Sequence, residues 1–258
     1  MGLLQNKIAL VTGASAGIGK ATAEVFAREG AHLIIIARRP DKILTLADEL
    51  QKNHKIKCHP VALDIRNQEA VASAIANLPD DFKNIDILVN NAGLSRGLAG
   101  VHDADLTDWE EMIDTNIKGL LYISRTILPG MMERNRGHVV NIGSVSGHQV
   151  YPGGNVYCAT KHAVDAITRG MQLDLVASPI HVTAIDPGMV ETEFSEVRFH
   201  GDKEKASTVY KGLTPLKGED IAETVLFAVT RPPHINIHNI LIMPKDQATA
   251  MVANRKQS

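Results

Sequence analysis

With 258 residues, 44% of them hydrophobic, the chain is long enough to bury a sizeable core and short enough for one α/β domain. Its 27 Lys and Arg nearly balance its 29 Asp and Glu, interspersed without a long single-sign block, so no electrostatic footprint for nucleic acid is expected. No run approaches the roughly 18 apolar residues of a membrane helix, and the two cysteines, Cys58 and Cys158, form no C-x-x-C pair, so a soluble, cytoplasmic protein with free thiols is expected.

In chain order, Lys7 to Val11 is a short apolar run that reads as a strand. It feeds into Thr12-Gly13-Ala14-Ser15-Ala16-Gly17-Ile18-Gly19, after which Lys20 to Arg28 carries helical periodicity. A glycine turn between strand and helix lets backbone N–H groups approach a pyrophosphate at the helix N-terminus, where the dipole favours negative charge. The spacing G-x-x-x-G-x-G differs from the commoner G-x-G-x-x-G fingerprint, and no Gly-Lys-Ser/Thr follows, which excludes a P-loop. His32 to Ala37 reads as a fully buried second strand that ends in Arg38-Arg39. An acid there would suit the ribose 2′-hydroxyl of NAD. Two arginines suit a 2′-phosphate, so NADP is favoured; the alternative is a solvated basic pair opening the next helix.

Asp41 to Leu50 and Asn67 to Leu78 read as helices, Lys57 to Leu63 as a strand ending at Asp64-Ile65, and Ile85 to Val89 as a fourth strand ending in Asn90-Asn91-Ala92-Gly93. Thr107 is expected to cap a long helix that holds Asn116 and runs to Leu128, before Pro129. His138 to Ile142 is a fifth strand and delivers Ser144 to its carboxyl end. After a loop with Pro152, Gly153 and Gly154, helical sequence runs from Tyr157 to about Leu175. Tyr157 and Lys161 then share one helix face. That suits a phenol acting as general acid or base beside a fixed positive charge, the alternative being a buried tyrosine and a solvated lysine. His181 to Ile185 is a sixth strand, ending in Asp186-Pro187-Gly188. Residues 189 to 213 break the alternation, as a lid or binding loop does, before a helix from Glu219 to Thr230 and a last strand from Ile237 to Met243. His234-x-x-x-His238 has no acidic third ligand in register, so no metal site is expected.

Strands alternating with helices of about 10 to 15 residues predict a single-domain, doubly wound α/β fold. It would be one parallel, Rossmann-type β-sheet with helices on both faces and a lid insertion after the sixth strand. Ligands of such sheets bind at the strands' carboxyl ends. Thr12, Arg38, Asp64, Asn91 and Ser144 all fall there, so they are expected to converge on one crevice. The nucleotide-binding part is expected over about 7–142, the catalytic helix over 156–175 and the lid over about 189–213.

T-G-A-S-A-G-I-G at 12–19, Asp64, N-N-A-G at 90–93, Asn116, Ser144, Y-x-x-x-K at 157–161 and P-G at 187–188 together resemble the short-chain dehydrogenase/reductase family, over roughly Lys7 to Met243. The resemblance implies a catalytic tetrad of Asn116, Ser144, Tyr157 and Lys161. It also implies NADP held by Gly13, Ser15, Gly17, Ile18, Gly19, Arg38, Arg39, Asp64, Ile65, Asn91, Ala92, Gly93, Tyr157, Lys161, Pro187, Gly188, Val190 and Thr192. Ala16 departs from the basic residue that many NADP-preferring members carry before the second glycine, which leaves most of the 2′-phosphate contact to Arg38 and Arg39. A homotetramer packed through the helices of Asn116 and Tyr157 is implied as well.

Three further stretches, at 78–93, 150–157 and 190–202, are similar to the NADP-dependent 3-hydroxy acid dehydrogenases that oxidise serine and L-allo-threonine. The similarity implies reversible hydride transfer at a secondary alcohol. Tyr157 would be base in oxidation and acid in reduction, its phenolate favoured by Lys161 and the positive nicotinamide. Ser144 would hold the substrate oxygen, Lys161 would grip the ribose hydroxyls, and Asn116 would position a proton-relaying water. A substrate carboxylate needs a cation; Arg198 is the candidate, with a lid-folding or subunit-contact arginine as the alternative. Glu191 or Glu193 could meet a substrate ammonium, or be solvated. Rival expectations are a broad carbonyl or 3-ketoacyl reductase and a non-catalytic NADPH-sensing protein.

Overall fold

The computed structural model describes residues 2–256. Among these described residues are nine strands: β1 (Ile8–Thr12), β2 (His32–Ala37), β3 (Cys58–Ala62), β4 (Ile87–Asn90), β5 (Gly137–Ile142), β6 (Ile180–Pro187), β7 (Val190–Glu191), β8 (Leu216–Lys217) and β9 (Asn239–Ile242). Seven of them form one parallel sheet in the order β3-β2-β1-β4-β5-β6-β9, while β7 and β8 pair separately. Ile8 lies opposite His32 and Thr12 opposite Ile36, and on the other side Val11 meets Val89. The connection direction reverses between β1 and β4, so the carboxyl ends of these two strands open a crevice.

The helices are α1 (Gly17–Arg28), α2 (Pro40–His54), α3 (Gln68–Ala76), α4 (Leu106–Ile113), α5 (Leu120–Glu133), α6 (Asn155–Asp174), α7 (Phe194–Arg198), α8 (Lys203–Thr208) and α9 (Gly218–Val229). Alternation along each strand sorts its residues between two cores. Ala9, Val11, Leu33, Ile35 and Val89 pack with Phe26 of α1, Leu46 of α2 and Val225 of α9. Leu10, Ile34, Ile36 and Leu88 pack on the other face with Ile123 and Met131 of α5 and Val164 of α6. Burial on both faces explains why these strands are continuously apolar, and each such side chain contributes about 1.5–3 kcal/mol. The expected doubly wound sheet is thus present, and no helix among the described residues is long and apolar enough to cross a membrane.

Several expected features differ. Asp105, not Thr107, caps α4: its carboxylate accepts the Thr107 N–H at 2.8 Å and the Thr107 hydroxyl at 2.7 Å. Pro129 does not end the following helix, which continues to Glu133 because Ile127 and Met131 on either side are buried in the core. That packing outweighs the backbone hydrogen bond a proline forfeits. Between α4 and α5 the backbone widens into a π turn, Asp114–Gly119, with Asn116 at its centre. Segment 189–213 is not irregular throughout, since it holds β7, α7 and α8. Helices of five and six residues are too short to print a periodicity on the sequence.

Candidate functional site

At the crevice, the sequence builds a cradle before it builds a reaction centre. The buried Thr12 hydroxyl donates to Val89 O and accepts the N–H groups of Asn91 and Ala92 at 3.0 Å each, tying the end of β1 to the turn after β4. Asn91 returns its amide to Thr12 O at 2.8 Å. Gly13 and Gly17 adopt φ of 68° and 55°, the left-handed region open to glycine. A Cβ on Gly19 would stand 2.3 Å from Asn91 Nδ2 and 2.5 Å from Gly13 O, so Gly19 lets the turn close against Asn91. The α1 N-terminus has no side-chain cap and no acid in its first turn. Its free N–H groups and positive dipole end are left for an anion.

The cleft above this cradle has a volume of about 610 Å³. Gly13, Ser15, Gly17, Ile18, Arg38, Arg39, Asp64, Ile65, Asn91, Ala92, Gly93, Ser144, Tyr157, Lys161, Pro187, Gly188, Val190 and Thr192 all lie on its wall. Thr12, Gly19, Asn116 and Arg198 do not. The first two sit beneath the glycine turn, and the other two stand one layer back.

The two rim arginines differ in their surroundings. Arg39 donates through Nε and Nη2 to Ser15 Oγ at 3.2 and 2.9 Å, and through Nη1 to Glu193 at 2.8 Å, where Lys42 Nζ also bonds at 2.8 Å. Arg38 instead meets Glu111 at 3.2 Å, a carboxylate shared with Arg96 at 2.7 Å and Arg66 at 3.7 Å. Burial raises the proton affinity of Glu111, but Arg96 and Arg38 outweigh it and hold the carboxyl below its ordinary range. Asp64 is held low in the same way: burial opposes ionisation, and the Arg66 guanidinium overcomes it.

At the far end, β5 and α6 bring Ser144, Tyr157 and Lys161 together. Lys161 is buried and donates from Nζ to Ile142 O at 2.9 Å. Burial pulls its pKa from 10.5 down to about 8, against the pull of the Asp186 carboxylate. Burial likewise pushes the Tyr157 phenol well above its ordinary value, while the Arg198 guanidinium and, more weakly, the Ser144 hydroxyl act in the opposite sense. Arg198 is therefore one cation that counters burial of the phenol. Arg198 Cζ lies 5.3 Å from the Tyr157 ring centre and 5.3 Å from that of Phe194. Its Nε bonds Ser95 Oγ at 3.1 Å and its Nη2 bonds Tyr151 Oη at 3.0 Å. Phe194 and Val197 are on the cleft wall in front of it.

Asn116 is committed to structure through its side chain. It donates to Leu94 O at 2.8 Å and Thr160 Oγ1 at 3.0 Å, and accepts the Leu94 N–H at 2.9 Å. The Asn116 amide therefore straps the turn after β4 to α6, and only its backbone remains for a water.

Sequence reasoning missed a buried hub behind Ser144. Asp186 accepts the Ser144 N–H at 3.1 Å, His148 Nε2 at 2.7 Å and the Asn239 amide. His148, Asp165 and Asp186 bring three ligand-type atoms within 4.8 Å of one another. Both Asp186 oxygens already face hydrogen-bond donors, so the group fixes the Ser144 loop. Its signal was present in Asp186 at a strand's carboxyl end, whereas the Arg96–Glu111 and Lys42–Glu193 pairs left none.

Residues 7–203 match the family model described as short chain dehydrogenase. The chain is 48% identical over 244 residues to the NADP-dependent 3-hydroxy acid dehydrogenase YdfG of Salmonella typhi, covering 94% of this chain and 97% of that protein. It is 42% identical over 259 residues to the NADP-dependent 3-hydroxy acid dehydrogenase of Schizosaccharomyces pombe, covering 100% of both. A solved structure described as the closed form of serine dehydrogenase complexed with NADP+ has a TM-score of 0.91 and 45% identity, over 97% of this chain and 100% of that one.

Proposed function

This chain belongs to the short-chain dehydrogenase family, and on that footing we propose that it is an NADP-dependent oxidoreductase acting reversibly on the C3 hydroxyl of 3-hydroxy acids. L-serine, L-allo-threonine and 3-hydroxybutyrate are the substrates to expect. The cradle residues fit the dinucleotide: an uncapped helix N-terminus for the pyrophosphate, and Ser15 with Arg39 for a 2′-phosphate. When bound, the nicotinamide supplies the site that accepts or gives the hydride.

The chain's own residues handle the proton. Tyr157 Oη takes it from the substrate hydroxyl in oxidation and returns it in reduction, and Ser144 Oγ holds the substrate oxygen beside it. Lys161, with its pKa drawn to about 8, is predominantly charged at pH 7 and close enough to neutrality to pass a proton on. The buried phenol is a poor base by itself, so Tyr157 depends on neighbouring positive charge to ionise.

The hydroxy-acid reading is carried by Arg198. Among the described residues the polar side-chain partners of this half-buried guanidinium are the hydroxyls of Ser95 and Tyr151 and no carboxylate, and it sits 5.3 Å from the ring of Tyr157. A desolvated cation without a counter-ion favours an anionic ligand. A substrate carboxylate would reach it once the Phe194–Val197 wall of α7 gives way. A homotetramer packed through α4, α5 and α6, which leave Leu106, Leu121 and Leu173 exposed, is part of this proposal. Measuring Arg198→Ala against L-serine, 3-hydroxybutyrate and a neutral secondary alcohol tests the substrate class. The expected result is KM raised about tenfold or more for the acids and little changed for the alcohol; equal effects on both would defeat it.

A further inference from the structure

Glu193 is the last residue before α7 and one of the few acids on the cleft wall. Its two oxygens are divided between cations of a different part of the chain: Oε2 accepts from Arg39 Nη1 and Oε1 from Lys42 Nζ, each at 2.8 Å. Arg39 also holds Ser15 Oγ through two other nitrogens. One guanidinium and one ammonium thus hold a single carboxylate at the rim where β2 ends, with the Ser15 hydroxyl bonded to the guanidinium rather than to Glu193. Two cations and a hydroxyl gathered at one rim make a site suited to a phosphate. The Lys42 ammonium first and the Arg39 guanidinium second hold Glu193 below the ordinary carboxylate range despite partial burial.

We propose that Glu193 and the 2′-phosphate of the dinucleotide are alternative anions for one cradle made by Ser15, Arg39 and Lys42, so that Glu193 sets the affinity for NADP and holds α7 in place until the phosphate displaces it. This rests on the NADP reading above. The chemistry is competition by charge. A 2′-phosphate brings up to two negative charges against the single one of Glu193, and its three oxygens can engage all three donors at once. Arg39 and Lys42 cannot serve both anions fully without bringing like charges together.

Displacement has a consequence at the other end of α7, because this helix spans only Phe194 to Arg198. Its first residue and its fourth, Val197, wall off Arg198 from the cleft. Freeing Glu193 loosens the N-terminal side of that wall, so a 2′-phosphate bound about the length of the cleft away prepares the approach to Arg198. Lys42 thereby becomes a third 2′-phosphate residue, one turn beyond the arginine pair. Arg38, neutralised by Glu111, contributes less.

Calorimetric titration of the full chain with 2′,5′-ADP, 5′-AMP, NADP+ and NAD+ tests the competition in wild type, Glu193→Gln and Lys42→Ala. Glu193→Gln should bind 2′,5′-ADP and NADP+ about threefold to tenfold more tightly, the range for loss of two exposed ion pairs, and leave 5′-AMP and NAD+ unchanged. Lys42→Ala should weaken the two 2′-phosphorylated ligands alone. Amide exchange over α7 should quicken in Glu193→Gln without ligand and in wild type with 2′,5′-ADP. Unchanged affinity of Glu193→Gln for 2′,5′-ADP, or equal tightening of NAD+, overturns the proposal while leaving the cofactor assignment intact. A wild type that binds 5′-AMP as well as 2′,5′-ADP overturns the cofactor assignment and this proposal with it.

Discussion

Replacing Lys161 with methionine separates the electrostatic cost of the site from its use. The folded chain holds this ammonium out of water, which lowers its pKa from 10.5 to about 8. A tenfold change in proton affinity is worth about 1.4 kcal/mol, so the charged form opposes folding by about 3 kcal/mol. The sign follows from the depressed value. Between pH 8 and 10.5 the unfolded chain binds the proton and the folded chain releases it, so wild-type stability gains from this residue as pH rises through that window. Below pH 8 the penalty is present in full. Methionine keeps the length and removes the charge, at the loss of the 2.9 Å hydrogen bond to Ile142 O, about 1 kcal/mol. Urea melts of both proteins, at one protein concentration and at pH 7 and pH 10.5, give the difference in unfolding free energy, from which other titrations cancel. The stability advantage of Lys161→Met should shrink by about 3 kcal/mol from the lower pH to the higher. A difference that stays constant to within about 1 kcal/mol would refute the buried, strained lysine. Dehydrogenase activity should be lost in the variant at either pH.

Two other perturbations address the reaction and the cofactor. Tyr157→Phe should reduce turnover by at least a factor of about 100 while leaving the dissociation constant for NADP+ within about threefold; substantial residual turnover in a steady-state absorbance assay would remove the phenol from the proton step. Arg39→Ala should lower the NADP-to-NAD ratio of kcat/KM about tenfold or more, whereas Arg38→Ala, already neutralised by Glu111, should lower it about threefold or less. The reverse ranking would show that Arg38 carries the 2′-phosphate.

The sheet was readable because parallel strands covered on both faces must be apolar throughout, and each such run here is bounded by a glycine, a charge or an amide. What escaped was decided by packing at a distance. Pro129 signals a stop to any local rule, yet the burial of Ile127 and Met131 carries the helix past it. The π turn around Asn116 has no local signature either. A Cβ on its Gly119 would press to 2.6 Å from Ile65 Cδ1, so the turn is shaped by a contact with a residue more than fifty positions earlier.

The candidate site divides along the same line. Position at a strand's carboxyl end located Arg38, Asp64, Asn91 and Ser144 on one cleft, because topology alone brings those ends together. It could not rank Arg38 against Arg39. Adjacent in sequence, the two arginines point to carboxylates 73 and 154 residues away, one on α4 and one at the start of α7. Their charges are equal and their usefulness to a ligand is not. Arg38 shares a partly buried carboxylate with two other guanidiniums, so withdrawing it leaves Glu111 still paired with Arg96 and yields a cation still close to its partner's field. Arg39 shares a more exposed carboxylate with Lys42, where solvent screens the pair and a phosphate can replace it at small cost. The two arginines therefore differ in which acid each has found, and the acid that holds Arg39 belongs to the segment that also carries Arg198.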